Sequence, residues 1–313
     1  AYQLYGDGSN LTGISGGGSG GCLKLVATGN LISDGVCAGC SISGANHNII
    51  LGCCAGSGTI SGNYNIILGC NSGKVASGNI NFIAGWCAAG GNNVTGDANV
   101  FIGSYTAKCN CSGSCNIMIG SLAGFANQTG NNNTFLQNYA GRDNTTGSDN
   151  TYIGFGAGYE SGNANHSIAI GRCAGYNSAS DLNIFLGKDA GKCNTTGHSN
   201  IGIGQSSSGG AEGANSVTGS NNISIGSSAG AFLKTACDNV FMGVNTGVGN
   251  TGGSGNVFLG RCAGIGNTVA NCNIYIGVCA GTQTGIGTYY FGASGGDHNI
   301  AIGFCAGSLY NTT

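Results

Sequence analysis

The most constraining feature of the sequence is a repeat of about 17 residues. The pattern Asn-x-x-(Ile/Leu)-Gly recurs some seventeen times between Gly35 and Gly303, usually followed by x-x-Ala-Gly. This unit is too short for a helix pair or a propeller blade, whose periods are about 34 and 40–45 residues. It suits one coil of a single-chain β-solenoid, either a β-helix or a β-roll. Since coils rise by about 4.8 Å, seventeen of them predict an all-β rod roughly 80 Å long.

Positions within a unit are counted from the glycine that ends its strand, which is position 0. Positions −3 and −1 are mostly Ile, Leu, Val or Phe, as in Ile66 and Leu68. Side chains alternate along a strand, so this pair is predicted to face the coil interior. Glycine at positions 0 and +4 suits corners with positive φ, and the usual Ala at +3 suits a narrow coil. The chain contains no proline, as expected where nearly every backbone N–H serves the next coil.

Position −4 is asparagine in most units, with Ser167 and Thr288 as exceptions. Asparagines stacked one coil apart are predicted to form a ladder of side-chain amides along the rod. The predicted ladder comprises Asn48, Asn65, Asn81, Asn99, Asn116, Asn133, Asn150, Asn183, Asn200, Asn222, Asn239, Asn256, Asn273 and Asn299.

Position −2 lies on the opposite side of the strand from −3 and −1, and is predicted to face outward. An exposed apolar stripe of this length favours self-association of parallel, in-register rods, most simply as a homotrimer. The alternative is that these side chains fill a second internal layer or are covered by the same coil. The predicted interface comprises Ile50, Ile67, Ile83, Phe101, Met118, Phe135, Tyr152, Phe185, Phe241, Phe258, Tyr275 and Tyr290.

Composition argues against several functions. Nine Lys and Arg against eleven Asp and Glu leave a net charge of −2, which disfavours nucleic-acid binding. No apolar run approaches the ~20 residues that span a bilayer, so no membrane insertion is expected. Among the scattered acids, Asp143 and Glu160 occupy the same position in neighbouring coils, and a solvated corner explains them better than catalysis does. The sequence therefore predicts no enzyme, no catalytic or metal site and no cofactor.

The seventeen cysteines follow the repeat more closely than any metal-binding spacing. The group Cys37, Cys40, Cys53 and Cys54 contains one C-x-x-C but no second one at zinc-finger distance. Seven cysteines share position +2, where packing as small apolar side chains explains them, and whether they are free or disulfide-bonded stays open. They are Cys37, Cys54, Cys87, Cys173, Cys262, Cys279 and Cys305.

Some segments resemble fibre proteins. Residues 6–13, Gly-Asp-Gly-Ser-Asn-Leu-Thr-Gly, resemble an element of phage tail fibres, and Asn150-Thr-Tyr-Ile-Gly154 resembles repeats of phage and giant-virus fibres. Ser167-Ile-Ala-Ile-Gly171 is similar to head repeats of trimeric autotransporter adhesins. The resemblance implies a homotrimer, often matured by a C-terminal self-cleaving chaperone. No such segment occurs here, so we expect a processed product or a fragment.

These observations predict a Gly-rich attachment or inter-subunit segment at 1–30 and a solenoid domain at 31–313. The expected function is a structural fibre or adhesin subunit, in a virion fibre or at a cell surface, that associates with itself and binds a surface receptor or glycan. A subunit of a polymerising extracellular filament is the main alternative, and an ice-binding or polysaccharide-processing solenoid is less favoured. Candidate surface-binding residues are Trp86, Tyr105, Arg142, Tyr159, Arg172 and Lys188.

Overall fold

The computed structural model describes residues 23–26, 30–33, 37–91, 93–210, 216–285 and 296–311. These ranges contain short strands and turns, and no helix. The strands are β1 (Leu23–Val26), β2 (Asn30–Ser33), β3 (Ser41–Ile42), β4 (Ile49–Leu51), β5 (Thr59–Ile60), β6 (Ile66–Leu68), β7 (Val75–Ala76), β8 (Phe82–Ala84), β9 (Asn93–Val94), β10 (Val100–Ile102), β11 (Ile117–Ile119), β12 (Thr134–Leu136), β13 (Thr151–Ile153), β14 (Ile168–Ile170), β15 (Ile184–Leu186), β16 (Ile201–Ile203), β17 (Ile223–Ile225), β18 (Val240–Met242), β19 (Val257–Leu259), β20 (Ile274–Ile276), β21 (Gln283–Gly285), β22 (Ile300–Ile302) and β23 (Leu309–Asn311).

Most of the longer strands belong to one sheet of seventeen strands that runs along the molecule. β1 pairs with β2 in antiparallel fashion, and every later pair is parallel. Each strand lies in register on the strand of the next coil, so that Met118 pairs with Phe101 on one side and with Phe135 on the other. The chain is a parallel β-solenoid with a period of about 17 residues. The predicted fold class is therefore confirmed.

Two further sheets are small. β3, β5, β7 and β9 stack in parallel on the other side of the first coils, and β21 pairs with β23 near the far end. β20 pairs directly with β22. The unit predicted at Gly292 lies outside the described residues. Residues 286–295, which include Thr288 and Tyr290, lie outside the described residues, as do residues 1–22.

The prediction about which side chains fill the coil is wrong. Position −2 faces the interior, and positions −3 and −1 face outward: each main strand has a buried central residue between two partly or largely exposed ones. The eleven described residues of the predicted interface are buried in the core of their own chain and cannot form a contact between subunits. They are Ile50, Ile67, Ile83, Phe101, Met118, Phe135, Tyr152, Phe185, Phe241, Phe258 and Tyr275.

The buried asparagine explains this orientation. Asn116, at position −4, is fully buried, so the strand's alternation also turns Met118 inward and turns Ile117 and Ile119 outward. In eleven of the fifteen strands from β4 to β22, one large side chain at position −2 packs inside the coil against the small residues of the turn, as Phe135 does against Gly141. The other four strands carry Ala169, Gly202, Ser224 and Ala301 at this position. Consecutive rings stack along the axis, with centroids 5.1 Å apart for Phe135 and Tyr152 and 4.8 Å apart for Phe258 and Tyr275. Burial raises the pKa of Tyr152.

The turns depend on residues with positive φ. Gly154, at position 0, has a φ of 131°, and a Cβ there would lie 2.6 Å from the carbonyl oxygen of Gly171 in the next coil. Position +4 is left-handed as well, as in Gly158 with a φ of 57°. The predicted corner role of these two glycine positions is confirmed. Positions −5 and +2 are also left-handed but carry many other residue types, including His47 and Cys54.

Candidate self-association face

The outward side of the main sheet is apolar along its whole described length. From β4 to β22, fifteen strands each present the side chains of positions −3 and −1. Of these thirty side chains, only Thr134 and Thr151 are not Ile, Leu, Val, Phe, Met or Ala, and none is charged. We term these thirty side chains the aliphatic face. Strand spacing gives it a length of about 67 Å, and a width of about 10 Å then gives an area on the order of 700 Å².

Exposure of large apolar side chains is concentrated on this face and beside it. Fifteen such side chains in the described ranges are exposed, and fourteen of them occupy positions −3 and −1 or the flanking positions −5 and +1. Val269 is the exception. The fourteen are Tyr64, Ile80, Trp86, Ile117, Ile119, Phe155, Ile168, Ile170, Leu182, Met242, Val244, Ile300, Ile302 and Phe304.

The two borders of the aliphatic face carry opposite charge. Positions −6 and −5, termed the acidic edge, carry five Asp and no Lys or Arg in the described coils: Asp97, Asp149, Asp181, Asp238 and Asp297. Positions +1 to +5, termed the basic edge, carry seven Lys or Arg and a single acid, Asp189: Lys74, Lys108, Arg142, Arg172, Lys188, Lys192 and Arg261. The two borders of the aliphatic face therefore differ, one being acidic and the other basic.

Beneath the face, the asparagines of the predicted ladder form a hydrogen-bonded stack, which is buried from Asn48 to Asn273 and exposed at Asn299. Its recurring bond differs from the predicted amide-to-amide contact: the backbone N–H of each ladder residue donates to the Oδ1 of the asparagine one coil earlier. Asn116 receives such a bond from Asn133 at 2.9 Å and donates one to Asn99 at 2.9 Å. The Nδ2 of Asn116 also donates to the carbonyl of Gly130 at 2.8 Å. Direct amide-to-amide bonds join part of the ladder, for example Asn81 to Asn65 at 3.1 Å.

Two other ladders are not predicted from the sequence. On the acidic edge, side chains at position −6 accept backbone N–H groups from the preceding coil, as Asn131 does from Ser114 at 2.8 Å, so this ladder runs opposite to the buried one. In the interior, the amides of Asn110, Asn127 and Asn144 stack at 2.8 and 2.9 Å. The recurrence of Asn and Ser seven residues after the residue that ends the strand is the signal that could have revealed the interior stack.

The predicted surface-binding residues lie on or near the basic edge, and most of them contact one another. The Arg142 guanidinium lies 5.1 Å from the centre of the Tyr159 ring, and Lys108 lies 5.1 Å from that of Tyr105. Arg142 also donates two bonds of 2.9 Å to Asp143. Trp86 meets Tyr105 edge to face at 4.7 Å. The cations and rings therefore stabilise one another as a surface column.

The described cysteines lie mainly on surface turns, and the structure joins none of these sixteen in a disulfide. Those at position +2 are at least partly exposed and left-handed, so core packing does not account for them. The hydrogen bond between the Cys37 and Cys40 side chains raises the pKa of the Cys40 thiol, and the hydrogen bond between Cys53 and Cys54 raises that of Cys54. Burial raises the pKa of Cys279, which also interacts with Cys262 and Cys305 of adjacent coils.

The described side chains include no group of three or more His, Cys, Asp or Glu placed to hold a metal ion. No helix long and apolar enough to cross a bilayer occurs in the part of the chain that the structure describes. Asp143, one of the two neighbouring acids, is paired with Arg142, while Glu160 is exposed.

The chain matches no known protein-family model, and no curated protein is significantly similar to it in sequence.

Proposed function

We propose that this β-solenoid is a structural fibre subunit, a stiff rod that packs against another copy of itself through the aliphatic face. The observation that carries the proposal is the placement of fourteen of fifteen exposed large apolar side chains on that face and its flanks. Soluble monomers seldom expose an apolar patch of more than a few hundred Å². The aliphatic face exceeds that size and approaches the ~800 Å² that each partner contributes to a stable interface.

The interior supports a rod of constant shape. Every coil repeats the same strand pairing, and buried side-chain hydrogen bonds join consecutive coils along the described length. Because the sheet is regular, its outward side chains form straight columns along the rod. Such columns can pack against another surface with the same repeat. Such a rod agrees with the resemblance to tail fibres and surface adhesins, and we place the protein in a virion fibre or at a cell surface on that resemblance.

Two substitutions on the aliphatic face test the proposal. Ile119 and Ile170 are 38% and 39% exposed, so Ile119→Lys with Ile170→Lys introduces charge without opening the core. We expect the double variant to keep its far-UV circular dichroism and to sediment as a monomer, while the unaltered chain forms larger species. Val269→Lys is the matched control because Val269 is exposed away from the face.

The unaltered chain would refute the proposal if it stayed monomeric at every concentration, with a native mass near 30.6 kDa. Association that survives the double Ile→Lys change would also refute it. The native mass also shows whether the chain forms a dimer or the trimer that the resemblance to fibre proteins implies. One continuous sheet face suits a single partner, so we expect the pair.

End-to-end growth into a filament is a second candidate. Among the described residues β22 pairs with β20 alone, and Ile300, Ile302 and Phe304 are the most exposed large apolar side chains, at 69%, 66% and 80%. A further coil of the same or another chain would cover this edge. Electron microscopy distinguishes the two candidates, since side-by-side pairing alone gives rods of fixed length and end-to-end growth gives filaments of variable length.

A further inference from the structure

We infer that two copies pair face to face with their rods parallel and in register. The inference rests on the proposed self-association and adds the orientation of the partner. It starts from the unequal borders of the aliphatic face, five Asp on the acidic edge against seven Lys or Arg and one Asp on the basic edge. All four histidines also lie on the acidic edge, and none on the basic edge.

Symmetry converts these borders into a choice of orientation. A pair that uses the same face on both copies has a two-fold axis in the plane of the interface. If that axis runs along the rods, the rotation exchanges the two borders, and each acidic edge lies against the partner's basic edge. If the axis runs across the rods, each edge meets its own copy, and like charges oppose each other. Complementary charge therefore selects the parallel pair.

The distribution of charge along the rod selects the register. Asp97 and Lys108 belong to the same coil, and so do Asp181 and Lys188. Asp149 lies one coil from both Arg142 and Arg172. Since a two-fold axis along the rod keeps every coil at its own height, groups of the same coil face one another without a shift, and Asp149 lies about 4.8 Å along the rod from its nearest cations. The thirty aliphatic side chains are also fully covered only at zero shift.

The charge argument is tested by replacing Asp97, Asp149, Asp181 and Asp238 together with Asn. Asparagine already occupies the same two positions in other coils, as Asn63 and Asn132 do, so the hydrogen bonds of the acidic edge are expected to remain. We expect the dissociation constant of the pair to rise about tenfold or more near 20 mM salt, with a much smaller difference at 0.5 M salt.

The control removes three negative charges on or beside the basic edge by Asp189→Asn, Asp143→Asn and Glu160→Gln. It should leave the pair as tight as before or tighter, because the basic edge becomes more positive. Equal weakening by both sets of changes would overturn the inference, as would an acidic-edge variant that binds normally at low salt.

Orientation is measured directly with a photo-crosslinking residue. Trp86→p-benzoylphenylalanine places the probe on the basic edge near one end, and mixing ¹⁵N-labelled with unlabelled chains identifies crosslinks between copies. The parallel pair predicts crosslinks to the acidic edge of nearby coils, at Tyr64, Ile80 or Ala98. An antiparallel pair predicts crosslinks near Arg261 and would overturn the inference while leaving self-association intact. Absence of any pair by native mass would instead refute the proposed function.

Discussion

At the scale of single residues, the space beside the buried side chain of position −2 limits which residues the turns of the narrow coil can carry. Gly158 and Gly156 have φ angles of 57° and 64°, so both are left-handed. A Cβ on Gly158 would lie 2.5 Å from the Tyr152 ring, whereas one on Gly156 would meet nothing closer than 3.6 Å. Comparing alanine substitutions at these two glycines therefore distinguishes the free-energy cost of a left-handed backbone from the cost of steric overlap with the core.

We predict that Gly158→Ala lowers the free energy of unfolding by about 2–4 kcal/mol, since it combines left-handed strain with overpacking of the core. Gly156→Ala should cost only about 1 kcal/mol, because strain acts alone there. Chemical denaturation of the two variants measures the difference. Equal losses would show that the Tyr152 ring moves aside freely and that the core is not closely packed.

At the scale of the element, each strand is fixed between ladders that run in opposite directions. The buried ladder receives N–H groups from the following coil, and the ladder of the acidic edge receives them from the preceding coil. One stack lies in the core and the other on the surface. Their contributions to stability should therefore differ, because a buried group left without a hydrogen bond costs far more than an exposed one.

Asn116→Ala tests the buried ladder. The change removes the acceptor for the Asn133 N–H and the donor to the Gly130 carbonyl, and we expect a loss of about 2–4 kcal/mol in the free energy of unfolding. Asn116→Ser should cost less, since Ser167 fills the same position three strands further on and its Oγ accepts the Asn183 N–H.

Asn131→Ala on the acidic edge is the control. Asn131 accepts the Ser114 N–H on the surface, where water can replace it, so the cost should stay below about 1 kcal/mol. A cost as large as that of Asn116→Ala would contradict the distinction between the two ladders.

Part of the architecture of each coil can be predicted from the sequence. Strand positions and coil stacking follow from the 17-residue period and from the Asn-x-x-(Ile/Leu)-Gly pattern. The sequence pattern does not determine which side chains point into the coil, because both sides of each strand are apolar, as in Ile66, Ile67 and Leu68. Hydrophobicity alone gave no choice between the two sides. Asn65 holds the missing information, since a stacked amide ladder lies inside the coil and position −2 shares its side of the strand.

At the scale of the whole molecule, the candidate interface depended on that choice of side. Self-association was expected from Phe135 and its equivalents, yet these side chains are buried and the exposed columns are one residue away on either side. The charge of the edges could have been read from the sequence once the coil was placed. The role of these charges at an interface could be inferred only from the structure, because the sheet shows that positions −5 and +1 border the same face.

Removal of a whole coil should be tolerated. Deleting residues 121–137 joins Gly120 to Asn138 and leaves every later residue at its position in the repeat. We expect a folded rod shorter by about 4.8 Å, with a melting temperature within a few degrees of the original. Deleting only 121–128 shifts the later residues out of position and should abolish cooperative melting. Thermal unfolding followed by circular dichroism compares the two, and equal behaviour would contradict a modular rod.

The in-register stacking of identical coils has a consequence for how such a protein changes over generations. Duplication of one unit in the gene inserts a segment that finds the same neighbours above and below as any other. The length of the rod can thus be adjusted in discrete increments by copying DNA, while the aliphatic face grows in the same proportion.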